Sequence, residues 1–326
     1  MKHLFIVNPV AGGKDKTEFV QSEAAKAFSD TGALYEIYVT KCPMDACDKI
    51  KTEAASGNEL RVYACGGDGT LNECVNGAVG FDNVAVTHFP CGTGNDFIKM
   101  FGEEKSGFFD LKKLVDGDVR PIDVIDCNGR YSVNICSVGI DARIGGDVHK
   151  YSKIPIIGGA TGYVTSTVVN VCKGIKQHFR VDCGGRKFDS ELTLICACNG
   201  RYYGGGFNPV PTARPDDGII DFLIVDGVSR LTFAALIGKY SRGQFRRLPQ
   251  IVTYIRSDSM NIRADEDVVV NIDGEIIRDS SISLKAVPGG VNFIFPAKMR
   301  FFENQNEENG AKISKTEEKP ELQNVN

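Results

Sequence analysis

The sequence predicts an α/β domain built on a parallel sheet, followed by a β-rich half of two packed sheets. Three observations carry that expectation. Over the first third, short apolar runs alternate with segments of helical period. Those apolar runs end in polar, glycine-bearing loops, as strands of an open parallel sheet do. After about Val119 the texture changes to closely spaced strand-like runs separated by turn residues.

In order, Leu4–Val7 is a first strand that breaks at Asn8-Pro9, and Thr17–Phe28 is an amphipathic helix. Ala33–Val39 reads as a strand, Pro43–Ser56 as a helix with Pro43 at its entrance, and Glu59–Ala64 as a strand. Leu71–Val79 follows as a helix and Val84–Phe89 as a strand. This βαβα rhythm implies helices on both faces of the sheet. The second half offers strands at Val119–Cys127, Arg130–Cys136, Phe179–Cys183, Arg186–Asn199, Ile219–Val225, Ser259–Arg263, Asp267–Ile272 and Ile282–Val287. Only Gly162–Lys173 and Arg230–Gly243 look helical there. Domains are expected over 1–120 and 121–290, with 291–300 returning to the first and a disordered polar tail over 303–326.

Composition narrows the function. The net charge is −4, and the tail from Glu303 onward holds six Glu against three Lys, so the body is nearly neutral. That balance argues against a nucleic-acid partner, which needs a basic face. The cysteines number 11, an odd count with no Cys-x-x-Cys, which suits buried thiols such as Cys196 and Cys198 in a reducing, cytoplasmic setting. The N-terminal apolar run is too short for a signal peptide, and Ile154 to Cys172 is too polar to cross a membrane.

The chemistry concentrates in loops. Gly66-Gly67-Asp68-Gly69-Thr70 follows a buried strand and opens a helix, where free backbone N–H groups and the helix dipole favour an anion. Thr70 and Glu73 fit a capping box. Asp68 does not fit a bare phosphate site, because a carboxylate there is repulsive unless Mg²⁺ mediates. A plain tight turn is the simpler alternative for this loop alone. Two more loops, Asn8-Pro9-Val10-Ala11-Gly12-Gly13-Lys14 and Pro90-Cys91-Gly92-Thr93-Gly94-Asn95-Asp96, end strands on the same sheet edge. Three such loops together favour a nucleotide site over three unrelated turns.

These three loops, with Leu71-Asn72-Glu73 continuing the second, resemble the diacylglycerol kinase catalytic family, which includes sphingosine, ceramide and soluble bacterial lipid kinases. The likeness runs from the N-terminus to about Pro296. It implies a phosphofructokinase- or NAD-kinase-like nucleotide domain joined to a C-terminal β-sandwich, with the active site in the cleft between them. It also implies ATP and Mg²⁺ as cofactors and phosphoryl transfer to a lipid hydroxyl, with diacylglycerol as first choice. Asn8, Pro9, Gly12, Gly66, Gly67, Gly69, Thr70, Asn72, Gly92, Thr93, Gly94 and Asn95 would then hold the nucleotide.

Further matches follow from the same resemblance. Asp273-Gly274-Glu275 is similar to the family's Asp-Gly-Glu motif, making Glu275 the expected general base, although Asp-Gly is also an ordinary hairpin turn. Asp123, in Pro121-Ile122-Asp123, matches a carboxylate that would organise Mg²⁺ with Asp68. Arg214-Pro215-Asp216-Asp217-Gly218-Ile219 is similar to a structural Mg²⁺ loop, with the Asp217 carboxylate and the carbonyls of Arg214 and Ile219 as ligands. Asp141 stands where some relatives recognise the lipid head group. Val164, Val168 and Val171 would line an acyl cleft or simply face the core. Lys239, Arg242, Arg246 and Arg247 would meet anionic lipid or be solvated surface charge.

Two rivals remain at this level: an NAD kinase-like enzyme and a catalytically inactive lipid-binding module. The expected partner is a lipid at the membrane surface, touched transiently. The sequence leaves the oligomeric state open, a homodimer among the options.

Overall fold

The computed structural model describes residues 1–29, 32–152, 166–167 and 169–302. Part of the expected helix over 162–173, with Val164 and Val168, and the whole tail over 303–326 lie outside the described residues; 166–167 and 169–173 are helical, as expected.

The N-terminal half is a parallel sheet. β1 (Lys2–Val7) lies between β2 (Tyr35–Val39) and β3 (Leu60–Gly66), and β4 (Val84–Pro90) pairs with β3, giving the order β2-β1-β3-β4. β4 is buried along its whole length and β1 and β3 nearly so, which is why each reads as an unbroken apolar run. α1 (Thr17–Phe28) packs on α4 (Leu111–Val115), while α2 (Asp45–Ala54) packs on α3 (Asp68–Ala78). Right-handed crossovers from this strand order put α1 on one face and α2 and α3 on the other. The chain therefore switches direction between β1 and β3, and a crevice opens at their carboxyl ends.

The second half is β-rich, but its strands form one hydrogen-bonded network with the first sheet: β11-β10-β9-β7-β12-β13-β4-β3-β1-β2. β5 (Asp118–Cys127) pairs with β13 (Glu275–Phe295) and with β6 (Arg130–Ser132). β7 (Ile135–Gly139) lies between β9 (Arg186–Cys198) and β12 (Ser259–Ile272). β8 (Gln177–Cys183) bridges β9 and β12, and β10 (Ile220–Asp226) carries β11 (Val252–Ser257) at the far edge. Two layers arise because β12 and β13 are long and shift register, between Arg263 and Val268 and between Val287 and Val291. A core containing Cys127, Val138, Phe179, Phe222, Ile262 and Leu284 fills the space between the layers.

β13 joins the halves: its end pairs with β4 in parallel, Asn292 opposite Ala85 and Phe293 opposite Val86. The second half also carries α5 (Ile140–Ser152), a helical stretch over 166–167 and 169–173, and α6 (Arg230–Tyr240). Residues 97–109 form a run of 3-10 turns that the sequence reading left unassigned, as it did α4, α5 and β11.

Candidate active site

A cavity of about 920 Å³ opens at the carboxyl ends of β1, β3 and β4, facing the second half of the chain. Its first wall is largely main chain. Asn8, Pro9 and Gly12 follow β1, Gly67 to Thr70 follow β3, and Gly92, Thr93 and Gly94 follow β4. These loops interlock: the Gly66 carbonyl accepts from the N–H groups of Cys91 (2.8 Å) and Gly92 (2.9 Å). A Cβ on Gly92 would stand 2.5 Å from the Gly67 Cα, so the third loop does not tolerate a side chain at this crossing. Gly12 has φ +67°, and a Cβ there would meet the Cys91 carbonyl oxygen at 2.6 Å. The result is a backbone cradle at the start of a helix, the arrangement that binds phosphate oxygens.

Thr70 and Glu73 do not form the expected capping box. α3 starts earlier, at Asp68, with Gly67 in the cap position and no side-chain cap. The Thr70 hydroxyl instead accepts from the Asn8 amide at 3.2 Å, tying the first loop to the second. Burial raises the Glu73 carboxyl, while the backbone N–H groups of Met44 and Ala46, at the start of α2, act against that rise.

Asp68 begins α3 and faces the cavity. Its Oδ1 accepts from the N–H groups of Asp96 (2.6 Å) and Phe97 (3.3 Å). Its Oδ2 lies beside Gly94, where a Cβ would come within 2.7 Å. Burial, reinforced by the neighbouring Asp96 carboxylate, lifts the Asp68 carboxyl to about 6. Lys99 neutralises Asp96, but among the described residues no cation pairs with Asp68, which faces the phosphate cradle. The Asp68 oxygens suit Mg²⁺, which takes one or two carboxylates and fills its other positions with water and phosphate oxygens.

The second wall comes from the other half of the chain. Glu275, the exposed first residue of β13, reaches over the first turn of α3: its Oε1 lies 3.4 Å from where a Cβ on Gly69 would be. Asp141, at the start of α5, also lines the cavity. It is 9% exposed, its Oδ2 has no hydrogen-bond partner, and burial raises its carboxyl to about 6 against the nearby Ser137 and Tyr203 hydroxyls.

Several expected residues sit elsewhere. Asp123 does not line the cavity: its carboxylate accepts from the N–H groups of Gly218 (2.6 Å) and Gly289 (2.8 Å), so it braces the seam between loops rather than joining Asp68. The Asn72 amide is used between the halves, donating to the Tyr131 carbonyl (2.9 Å) and to Asp273 Oδ2 (3.1 Å), and does not reach the cradle. Asn95, at φ +49°, donates to the Gly92 carbonyl and shapes its loop from behind, while Gly66 lies beneath the cradle.

The 214–219 loop does not fit the metal expected there. Asp217 pairs with Arg256 and accepts from the Ile219 N–H, and both Asp216 oxygens accept from Arg214. Guanidinium groups already neutralise these carboxylates. Among the described residues, no group of three or more His, Cys, Asp or Glu is arranged to hold a metal ion.

Two functional carboxylates escaped the sequence reading although both stand in quoted motifs. Asp96 accepts from the Gly205 N–H (2.9 Å) and pairs with Lys99, bridging the cradle to a loop of the second half. Asp273, at φ +52°, accepts from the N–H groups of Val133, Asn134 and Ile135, from Ser132 Oγ and from Asn72. It thereby fixes the turn that presents Glu275. Its neighbour Gly274 (φ +101°) was the visible signal for a constrained turn.

Fold and cradle together define a two-part protein: a parallel sheet whose glycine loops form an anion-type cradle, joined to a β-sandwich. Comparison with known families agrees. Residues 2–127 match the diacylglycerol kinase catalytic domain, and residues 134–295 match the YegS C-terminal NAD kinase beta sandwich-like domain. The chain belongs to the diacylglycerol kinase catalytic-domain family. Among its relatives are proteins named "Putative lipid kinase" from Staphylococcus aureus strains N315 and Newman, each 25% identical over 249 residues, covering 76% of this chain and 81% of theirs. A solved structure from Bacillus anthracis strain Sterne, named a "putative diacylglycerol kinase", is 26% identical with a TM-score of 0.71, covering 91% of this chain and 98% of that one. A second from the same strain and of like name has 25% identity and a TM-score of 0.67, covering 90% and 97%.

Proposed function

We propose that this kinase transfers the γ-phosphate of Mg·ATP to the hydroxyl of a membrane lipid, with diacylglycerol as acceptor and phosphatidic acid as product. One observation carries the reading: Glu275 stands over the first turn of α3, in the same cavity as the three-loop cradle and Asp68. A hydroxyl placed between the cradle and Glu275 has the phosphoryl donor on one side and a base on the other.

The loops at Asn8–Gly12, Gly67–Thr70 and Gly92–Gly94 bind and orient the phosphates through backbone N–H groups. Asp68 would hold Mg²⁺, which when bound offsets the charge of the phosphate oxygens. Glu275 accepts the acceptor hydroxyl's proton as its oxygen bonds to the γ-phosphorus. The bond to the β–γ bridging oxygen breaks, and ADP leaves with the electron pair. Asp273 holds the turn carrying Glu275, and Asp96 holds Asp68 and the Gly205 loop in register.

The orphaned Oδ2 of Asp141 favours a second reading, an acceptor with a further hydroxyl or an amine, such as phosphatidylglycerol or a sphingoid base, because diacylglycerol brings only the hydroxyl that reacts. Radiolabelled ATP incubated with diacylglycerol, phosphatidylglycerol, a sphingoid base or NAD separates these acceptors. A labelled lipid product from the wild type and none from Glu275→Gln is the expected result. Label only in NADP, or in nothing at all, would overturn the proposal.

A further inference from the structure

The segment 227–257 holds six basic residues, Arg230, Lys239, Arg242, Arg246, Arg247 and Arg256, and no Asp or Glu. The other residues up to 302 are net negative, so the positive charge is local. Arg256 is paired with Asp217 and Asp221. Among the described residues, none of the other five forms an ion pair. Arg230 caps a neighbouring helical stretch by donating to the carbonyls of Val171 and Cys172, both at 2.8 Å. Lys239, Arg242, Arg246 and Arg247 remain exposed at and just beyond the end of α6.

α6 itself is unusual for a surface helix. Its inner side, with Phe233, Leu236, Ile237 and Tyr240, packs against the core around Leu194, Val225 and Val252. An ordinary surface helix shows polar residues on the opposite side. Here the exposed positions between Arg230 and Lys239 are Leu231, Ala234 and Ala235, and Leu231 is 84% exposed. An apolar outward face beside a cluster of unpaired cations matches the chemistry of an anionic bilayer: acyl chains below, phosphates at the level of the charges. The helix also abuts the cavity, since the Tyr240 hydroxyl lies 3.4 Å from that of Tyr203, which lines it.

We propose that α6 and the basic loop after it form the membrane-docking surface, with α6 lying on an anionic lipid bilayer and Lys239, Arg242, Arg246 and Arg247 meeting its phosphates. Its purpose rests on the lipid acceptor proposed above; the surface is argued from charge and exposure alone.

The test is co-flotation of the full chain with vesicles of 30% phosphatidylglycerol in phosphatidylcholine, and with pure phosphatidylcholine, without nucleotide. Wild type should float with the anionic vesicles and be released by 1 M salt. Lys239→Gln with Arg247→Gln should weaken that binding about 30-fold, at about 1 kcal/mol per cation. Leu231→Asp should weaken it about tenfold through lost apolar insertion. These side chains are exposed, so thermal melts should stay at the wild-type value. Equal binding to both vesicle types, or variants that bind like wild type, would overturn the surface. So would capture by an oligonucleotide or self-association through α6 with no vesicle binding. Turnover of a water-dispersed short-chain diacylglycerol should be unchanged in the variants. If no lipid is phosphorylated while flotation behaves as stated, the kinase reading fails and the docking surface stands.

Discussion

The two walls of the cleft are built by opposite means. The wall at the parallel sheet is largely main chain, three loops of which two cross glycine against glycine. The facing wall presents side chains, Asp141 from the start of α5 and Asp273 and Glu275 from one turn much later in the chain. The first wall fails when atoms are added, the second when polar atoms are removed. Mutation can therefore separate them.

The largest effect should come from the second wall. Glu275→Gln should lower kcat about 10³-fold or more, the scale of losing a general base, while ATP binding followed by calorimetry stays at the wild-type value. Next is Asp273→Ala. It strands the N–H groups of three consecutive residues, and about 4 kcal/mol of stability should disappear from denaturant melts. Glu275 would lose its place with it, so weak melting loss together with full activity would break the comparison.

Asp68→Asn comes third and has the opposite sign for stability. The folded carboxyl titrates at about 6 and the free one at 3.8, so the folded chain binds an extra proton between those values. Wild-type stability therefore falls as pH rises through that window. The Asn variant should be more stable by about 3 kcal/mol at pH 7 and no different below about pH 4, with turnover lost. Equal melts at pH 7 would show that Asp68 carries no such burden. The smallest effect belongs to the first wall: Gly92→Ala should weaken ATP binding by about 2 kcal/mol through overpacking against Gly67, with Glu275 chemistry intact at saturating ATP.

The same contrast explains what the sequence disclosed. Buried parallel strands are continuous apolar runs, so β1, β3 and β4 were legible within about two residues, and α1 matched its expected ends. The glycine loops were legible because each is one short stretch. The second half is harder because its pairing is long-range. Arg130–Cys136 reads as one strand, yet Asp273, 138 residues from Ile135, takes the N–H groups that would continue it, and the run splits into β6 and β7. Pro288-Gly289-Gly290 reads as the end of a strand, yet β13 continues to Phe295 after a register shift. α5 was hidden by Gly145-Gly146 in its middle. Asp96 was quoted within its loop, but its partner Gly205 is 109 residues away, and no local pattern reveals such a bond. Asp123 and Asn72 misled for the same reason: their motifs were visible, and the backbone groups that occupy them were not.

β13 begins at Glu275 and ends paired with β4, so one strand carries the proposed base at one end and is stitched into the parallel sheet at the other. Sliding that strand by one residue would turn every alternate side chain to the wrong layer. The spacing between the two halves is thus set by one strand whose register against β5 breaks once, at Pro288-Gly289-Gly290. On either side of that break the strand is held by its ladder partners, so a change in the distance between Glu275 and the glycine loops has to be made at the break or in the loops themselves.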